Sequence, residues 1–191
     1  MKHTAASLGS TSGAAVPTGI VVSKQVPPHY KGSVIARCVK QTFGLSNSSG
    51  KPQITLDWEI LVPERVTNDF DGRTYDLTSL PLKVYLSLSA TDKKGNPTDN
   101  LNYLVTDLLP KLGLPAEIDD ENPLKSDTNP EGIDFVGIIA EIYISANERV
   151  EKRAVPGGKY EEVLDSRGNK ITRGWEIGMI DKKDILGLAK I

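Results

Sequence analysis

In the segment Gln53–Val62 the chain alternates as far as Ile60: Ile54, Leu56, Trp58 and Ile60 are apolar, while Gln53, Thr55, Asp57 and Glu59 are polar. A period of two sends successive side chains to opposite faces, so this segment predicts a strand with one buried side. The same reading predicts a strand over Gly32–Phe43, "GSVIARCVKQTF", where Val34, Ala36 and Cys38 share a phase. A third runs over about Leu80–Ser89. Leu80, Leu82, Val84, Leu86 and Leu88 form one face there, and Lys83, Tyr85, Ser87 and Ser89 the other. The period then changes. Leu101, Leu104, Val105, Leu108, Leu109 and Leu112 form one helical stripe, with Asp99 placed to cap its start, Gly113 to end it and Pro110 to distort its last turns.

A strand over Ile133–Ser145 follows, with Val136, Ile138, Ala140, Ile142 and Ile144 in phase, and "NKITRGWEIGMI" closes as a fifth strand. Pro63–Arg73, with Asp71-Gly72, and Asp165–Asn169 carry turn residues. Residues 1–18 are small and polar and predict a disordered tail, leaving 19–191 as a single domain. The long loop 146–169 is polar and has room for an extra hairpin.

Composition narrows the function classes. The chain has 191 residues, 38% of them hydrophobic, with 17 glycines, 12 prolines and a net charge of −2. That charge excludes a uniformly basic surface but not a local basic patch. A single cysteine, Cys38, excludes an internal disulfide and fits a reducing cytoplasm. No apolar run approaches a membrane span, and "MKHTAASLGSTSGAAVPTG" lacks a signal peptide's apolar core, so a cytoplasmic protein with no membrane partner is expected.

Chemistry is sparse. "FGLSNSSGKP", Phe43–Pro52, has the look of a phosphate-binding loop. Its glycines enclose five residues instead of four, and Pro52 stands where a Ser or Thr would bind magnesium, so it reads as a hairpin tip. His3 falls in the tail and His29 in "PPHY", neither with a metal-ligand partner at useful spacing. Cys38 shares its phase with buried residues and reads as a small core side chain. Asp127–Gly132, "DTNPEG", starts like a calcium loop but has Ile138 where a glutamate is required. No enzyme activity, metal or cofactor is expected.

Strand, strand, strand, helix, strand, strand is the order of the OB-fold, a Greek-key β-barrel with its helix between strands three and four; a β-sandwich also accommodates it. "GKPQITLDWEILVPE", then "LNYLVTDLLPKLGLP", then an apolar strand and "DSRGNKITRGWEI" resemble phage-encoded single-stranded-DNA-binding-like proteins over about residues 20–180. The resemblance implies an OB-fold protein that coats DNA strands in the host cytoplasm and works beside phage replication or recombination proteins.

The residues offer a matching surface. Lys83 and Tyr85 put a cation beside an aromatic on the outward face of strand three, as phosphate holding and base stacking require. Arg37 and Lys40 on strand one, Lys51 in the first hairpin, and Arg149, Lys152, Arg153 and Lys159 in the long loop add cations; Lys93 and Lys94 precede the helix. Trp58 and Trp175, the latter in phase with Ile171, Ile177 and Met179, read as core. Tyr143 and Phe135 lie off the phase of strand four, and stacking, packing under a loop and a subunit interface all remain open for them. Asp57 and Glu59 face outward and oppose phosphate. Two rivals stand beside DNA binding. One is a phage structural or assembly protein with a β-sandwich; the other is a protein that blocks a host factor. The C-terminal "DKKDILGLAKI" is not the acidic tail that recruits partners in many strand-binding proteins.

Overall fold

The computed structural model describes residues 21–92, 94–118 and 123–190. The tail expected over 1–18, with His3, and Lys93 lie outside the described residues. In chain order the strands are β1 (Val21–Ser23), β2 (Lys31–Leu45), β3 (Pro52–Val62), β4 (Arg65–Thr67), β5 (Thr74–Asp76) and β6 (Leu82–Ser87), followed after the helix by β7 (Ile139–Val150), β8 (Lys152–Val155), β9 (Lys159–Glu162), β10 (Thr172–Ile177) and β11 (Ile185–Leu188). The protein is mainly β, with several sheets and one helical segment.

The main sheet runs β10-β7-β2-β3-β6, and β11 joins the free side of β7. Every neighbour in it is antiparallel. Strand β2 is long enough to serve two partners: Lys31–Arg37 pairs with β7, and Ile35–Leu45 with β3. Among the described residues the sheet does not close into a barrel. Its two edges meet only through a parallel bridge between Val84 and Ile180. A smaller sheet, β1-β5-β4, covers one end, and β8 and β9 form a separate ribbon.

The alternation read from the sequence decides which side of the sheet is buried. Val34, Ala36, Cys38, Ile54, Leu56, Trp58, Ile60, Leu82, Val84, Leu86, Ala140, Ile142 and Ile144 all point into one core. Burial pushes the Cys38 thiol up to about 11, so it stays an uncharged core group at neutral pH. The helix closes the open mouth of this core with Leu104, Leu108, Leu109 and Leu112.

We label as α1 the continuous helical segment made of Asn100–Tyr103, a π-helical turn Leu104–Leu108, and Leu109–Lys111. Pro110 has no N–H to return to the preceding turn, and the N–H of Leu109 donates instead to Leu104 O, five residues back. Gly113, at φ +66°, ends the segment, while the N–H of Leu114 closes back onto Leu109 O. Asp99 does not cap it with its side chain; that carboxylate accepts from the Asn102 amide at 3.1 Å.

Other expectations are corrected. The fourth strand begins at Ile139, not Ile133, because the backbone of Cys38 bonds to Gly137 and Ile138 across a turn. Phe135 is carried inward by that turn and is fully buried, its N–H held by Gln41 Oε1 at 2.8 Å, so it is neither a stacking platform nor an interface residue. Val136, assigned to the core phase, is exposed. Gly132 lies under the backbone of Leu124, where a Cβ would come within 2.4 Å of its carbonyl carbon. The stretch read as a long loop over 146–169 is largely paired: β7 extends to Val150 and the β8–β9 hairpin follows. Two turns, Asp92–Asn96 and Asp165–Asn169, share one design. In each an aspartate accepts from the N–H groups two and four residues on and from the asparagine amide, and a glycine at positive φ sits between.

Candidate nucleic-acid interface

The outward faces of β2, β3 and β6 form a continuous ladder of side chains. On one rung Arg37 stands opposite Glu59; on the next, Lys40, Asp57 and Lys83 lie in a row across three strands. Then come Thr42, Thr55 and Tyr85, and after them Gly44, Gln53 and Ser87. Charge therefore occupies one half of the face, and hydroxyl groups with one aromatic ring the other. Tyr85 is 49% exposed.

Lys40 reaches this row through a β-bulge. Cys38 pairs with Trp58 and Lys40 with Asp57, so Val39 is the extra residue. Without it Lys40 would turn inward and Gln41 outward. The bulge also turns Phe43 toward the core.

The cations are not equally free. Arg37 Nη2 donates to Glu59 Oε2 at 2.8 Å. Lys83 Nζ lies 3.0 Å from Asp57 Oδ1, as an ion pair without the alignment of a hydrogen bond at that oxygen. The Asp57 carboxylate raises the Lys83 pKa above the ordinary lysine value. Lys51, at the foot of the β2–β3 hairpin, donates to Thr91 Oγ1 at 2.6 Å.

The structure thus brings Arg37, Lys40, Lys51, Lys83 and Tyr85 onto one surface and leaves the remaining candidates elsewhere. Tyr143 is outward and 38% exposed, but its cross-strand neighbour is Ser33, at the opposite end of β2 from Thr42. Ser33 lies nine residues along β2 from Thr42, roughly 30 Å of strand, though only four from Arg37. Arg149, Lys152 and Arg153 lie at the same far end, around the β8–β9 ribbon. A groove of about 500 Å³ there is lined by Arg149, Lys152, Arg173 and Tyr160, but also by Glu148, Glu151, Glu162 and Glu176. Arg153 pairs with Glu161 at 3.9 Å, Lys170 with Glu162 at 2.9 Å, and Arg173 with Glu151. The groove's four carboxylates outnumber its three cations, so it has no positive excess to offer a polyanion.

A second aromatic surface was not legible. His29, Phe70 and Trp175 form an edge-on cluster, with ring centroids 4.8 Å apart for His29–Phe70 and 4.2 Å for His29–Trp175. Phe70 is 70% exposed, and Trp175, expected in the core, is only half-buried. Its in-phase companion Met179 is 90% exposed, so the core phase ends before the end of this segment. The buried Asn68 holds the cluster together. Its amide donates to Pro28 O at 2.6 Å, and its Oδ1 accepts from the Phe70 N–H at 2.8 Å. In sequence "PPHY" carries no sign of it; the left-handed backbone of His29, at φ +56°, belongs to the fold.

Among the described residues no group of His, Cys, Asp or Glu is placed to hold a metal ion, and no helix is long and apolar enough to cross a membrane. No family model, curated protein or solved structure matches this chain.

Proposed function

We propose that the protein is a sequence-tolerant single-stranded-DNA-binding protein built on an opened OB-type barrel, with the β2–β3–β6 face as its binding surface. The strand order supports the barrel reading. Taking β2, β3, β6, β7 and β10 as strands one to five, the sheet order five-four-one-two-three and the single parallel contact from strand three to the segment after strand five follow the path of a partly open OB barrel. The observation that carries the function is the ladder of Arg37, Lys40 and Lys83 beside Tyr85. The cations track the backbone while the ring stacks one base. Partners among phage replication or recombination proteins belong to the same reading.

Fluorescence anisotropy with a labelled oligothymidine at two salt concentrations tests it. Binding should be micromolar or tighter at low salt and weaken steeply as salt rises, because released counterions supply much of the free energy. Tyr85→Ala should cost about 1–3 kcal/mol of binding, the loss of one stacked base, with an unchanged melting temperature because the ring is outside the core. No binding at low salt would sink this reading in favour of a structural or assembly role, and a stable Tyr85→Ala protein that binds normally would move the site elsewhere.

A further inference from the structure

The cations of the candidate face are interleaved with carboxylates by the sheet itself. Neighbouring strands lie about 4.8 Å apart. The register therefore fixes Asp57 between Lys40 and Lys83, and Glu59 beside Arg37, whatever the rotamers do. We infer that Asp57 and Glu59 are built-in counter-anions that weaken the hold of this face on any polyanion and so make it select unpaired strands over duplex. The inference rests on the nucleic-acid reading above.

The chemistry follows from what the two carboxylates replace. A carboxylate and a backbone phosphate make the same charge-assisted bonds to guanidinium and ammonium groups. Glu59 thus occupies an Arg37 donor that a phosphate would use, and Asp57 holds the Lys83 ammonium in an ion pair at 3.0 Å. Arg37 and Glu59 are each 48% exposed, so their pair contributes little stability and a phosphate can exchange into it; Lys83 is 51% exposed and reachable from solvent, although the Asp57 oxygen beside it is buried. After exchange the carboxylates remain a few ångströms from the incoming charge and repel it. That repulsion falls more heavily on duplex, which carries a charge per about 1.7 Å of axis against about 3.4 Å for one strand. Stacking on Tyr85 is untouched by it and is open only to an unpaired base. A face with its electrostatics turned down in this way depends on the ring, and the ring chooses single strands.

The test is the isosteric double variant Asp57→Asn, Glu59→Gln, titrated beside the wild type with an oligothymidine and with a duplex of equal length at two salt concentrations. Expected is tighter binding to both, about tenfold or more on duplex and less on the single strand, with a salt slope steeper by about one to two phosphate contacts. Melting temperatures of both proteins are measured first. If the double variant is unstable, Glu59→Gln alone carries the same expectation at smaller size. A folded variant whose affinities are unchanged or weaker overturns the inference, and so does an equal gain on both ligands. If neither wild type nor variant binds a single strand at low salt, the nucleic-acid reading itself falls. If the wild type binds and the variant gains nothing, only the role of Asp57 and Glu59 falls.

Discussion

The outer face of β2, β3 and β6 and the β8–β9 ribbon are made of the same materials, cations facing carboxylates beside one exposed tyrosine. They differ in what stands behind them. Behind Asp57, Lys83 and Tyr85 lie Ile54, Leu56, Leu82, Val84 and Leu86, each almost fully buried. The ribbon has no such buried backing among the described residues: its side chains are exposed along nearly the whole of both strands. A two-stranded hairpin without a packed face is marginal in water, whereas a strand in a packed sheet holds its side chains in fixed register. Similar charge patterns in sequence therefore gave two surfaces of unequal worth. Preorganisation by the core, not the tally of lysines and arginines, makes one of them a candidate site.

The largest expected effect comes from removing that backing. Leu56→Ala should cost about 2–5 kcal/mol of stability, seen as a lower urea midpoint, because a fully buried leucine leaves a cavity under the ladder. If the midpoint held, the claim that the core presets this face would fail. The aromatic cluster is an intermediate case, anchored by a single buried amide instead of a core. Asn68→Ala should cost about 1–3 kcal/mol by leaving Pro28 O and the Phe70 N–H without partners. It should also shift the emission of the half-buried Trp175, while Trp58 stays in the core; an unchanged spectrum would separate Asn68 from the rings.

The ribbon should be nearly indifferent. Arg153→Ala removes only an exposed pair with Glu161 and should change stability by no more than about 0.5 kcal/mol in thermal unfolding. A larger loss would mean that the ribbon is a structural element after all.

The smallest effect is local to the two matched turns. Asp92 is held below the ordinary carboxylate range first by the Asn96 amide, and Asp165 first by the N–H of Asn169. A depressed folded-state pKa contributes stability that is present above the unfolded value and lost as pH falls through the folded one. The amide resonances of Gly95 and Gly168 should therefore stay constant down to about pH 4 and move below it. Movement already near neutral pH would contradict this assignment.

Periodicity alone marked the strands that form the core, because burial on one face imposes a period of two that no neighbour can alter without exposing apolar surface. Ile54, Leu56, Trp58 and Ile60, the even positions of β6, and the leucine stripe of α1 were legible for that reason. So was the outward direction of Lys83, Tyr85 and Tyr143. The sequence could not say which outward residues share a surface. Tyr85 and Tyr143 look equivalent along the chain, yet the register of β2 with two different partners sets them at opposite ends of the sheet. Nor could it foresee the bulge at Val39, which shifts the β2–β3 register between Cys38 and Lys40 and so decides which face Lys40 takes. Phe135 and Trp175 exchanged places with expectation on the same principle. Local pattern reports whether a side chain tends to be buried, but only packing between segments distant in sequence decides which turn carries a ring inward and which strand end leaves one at the rim.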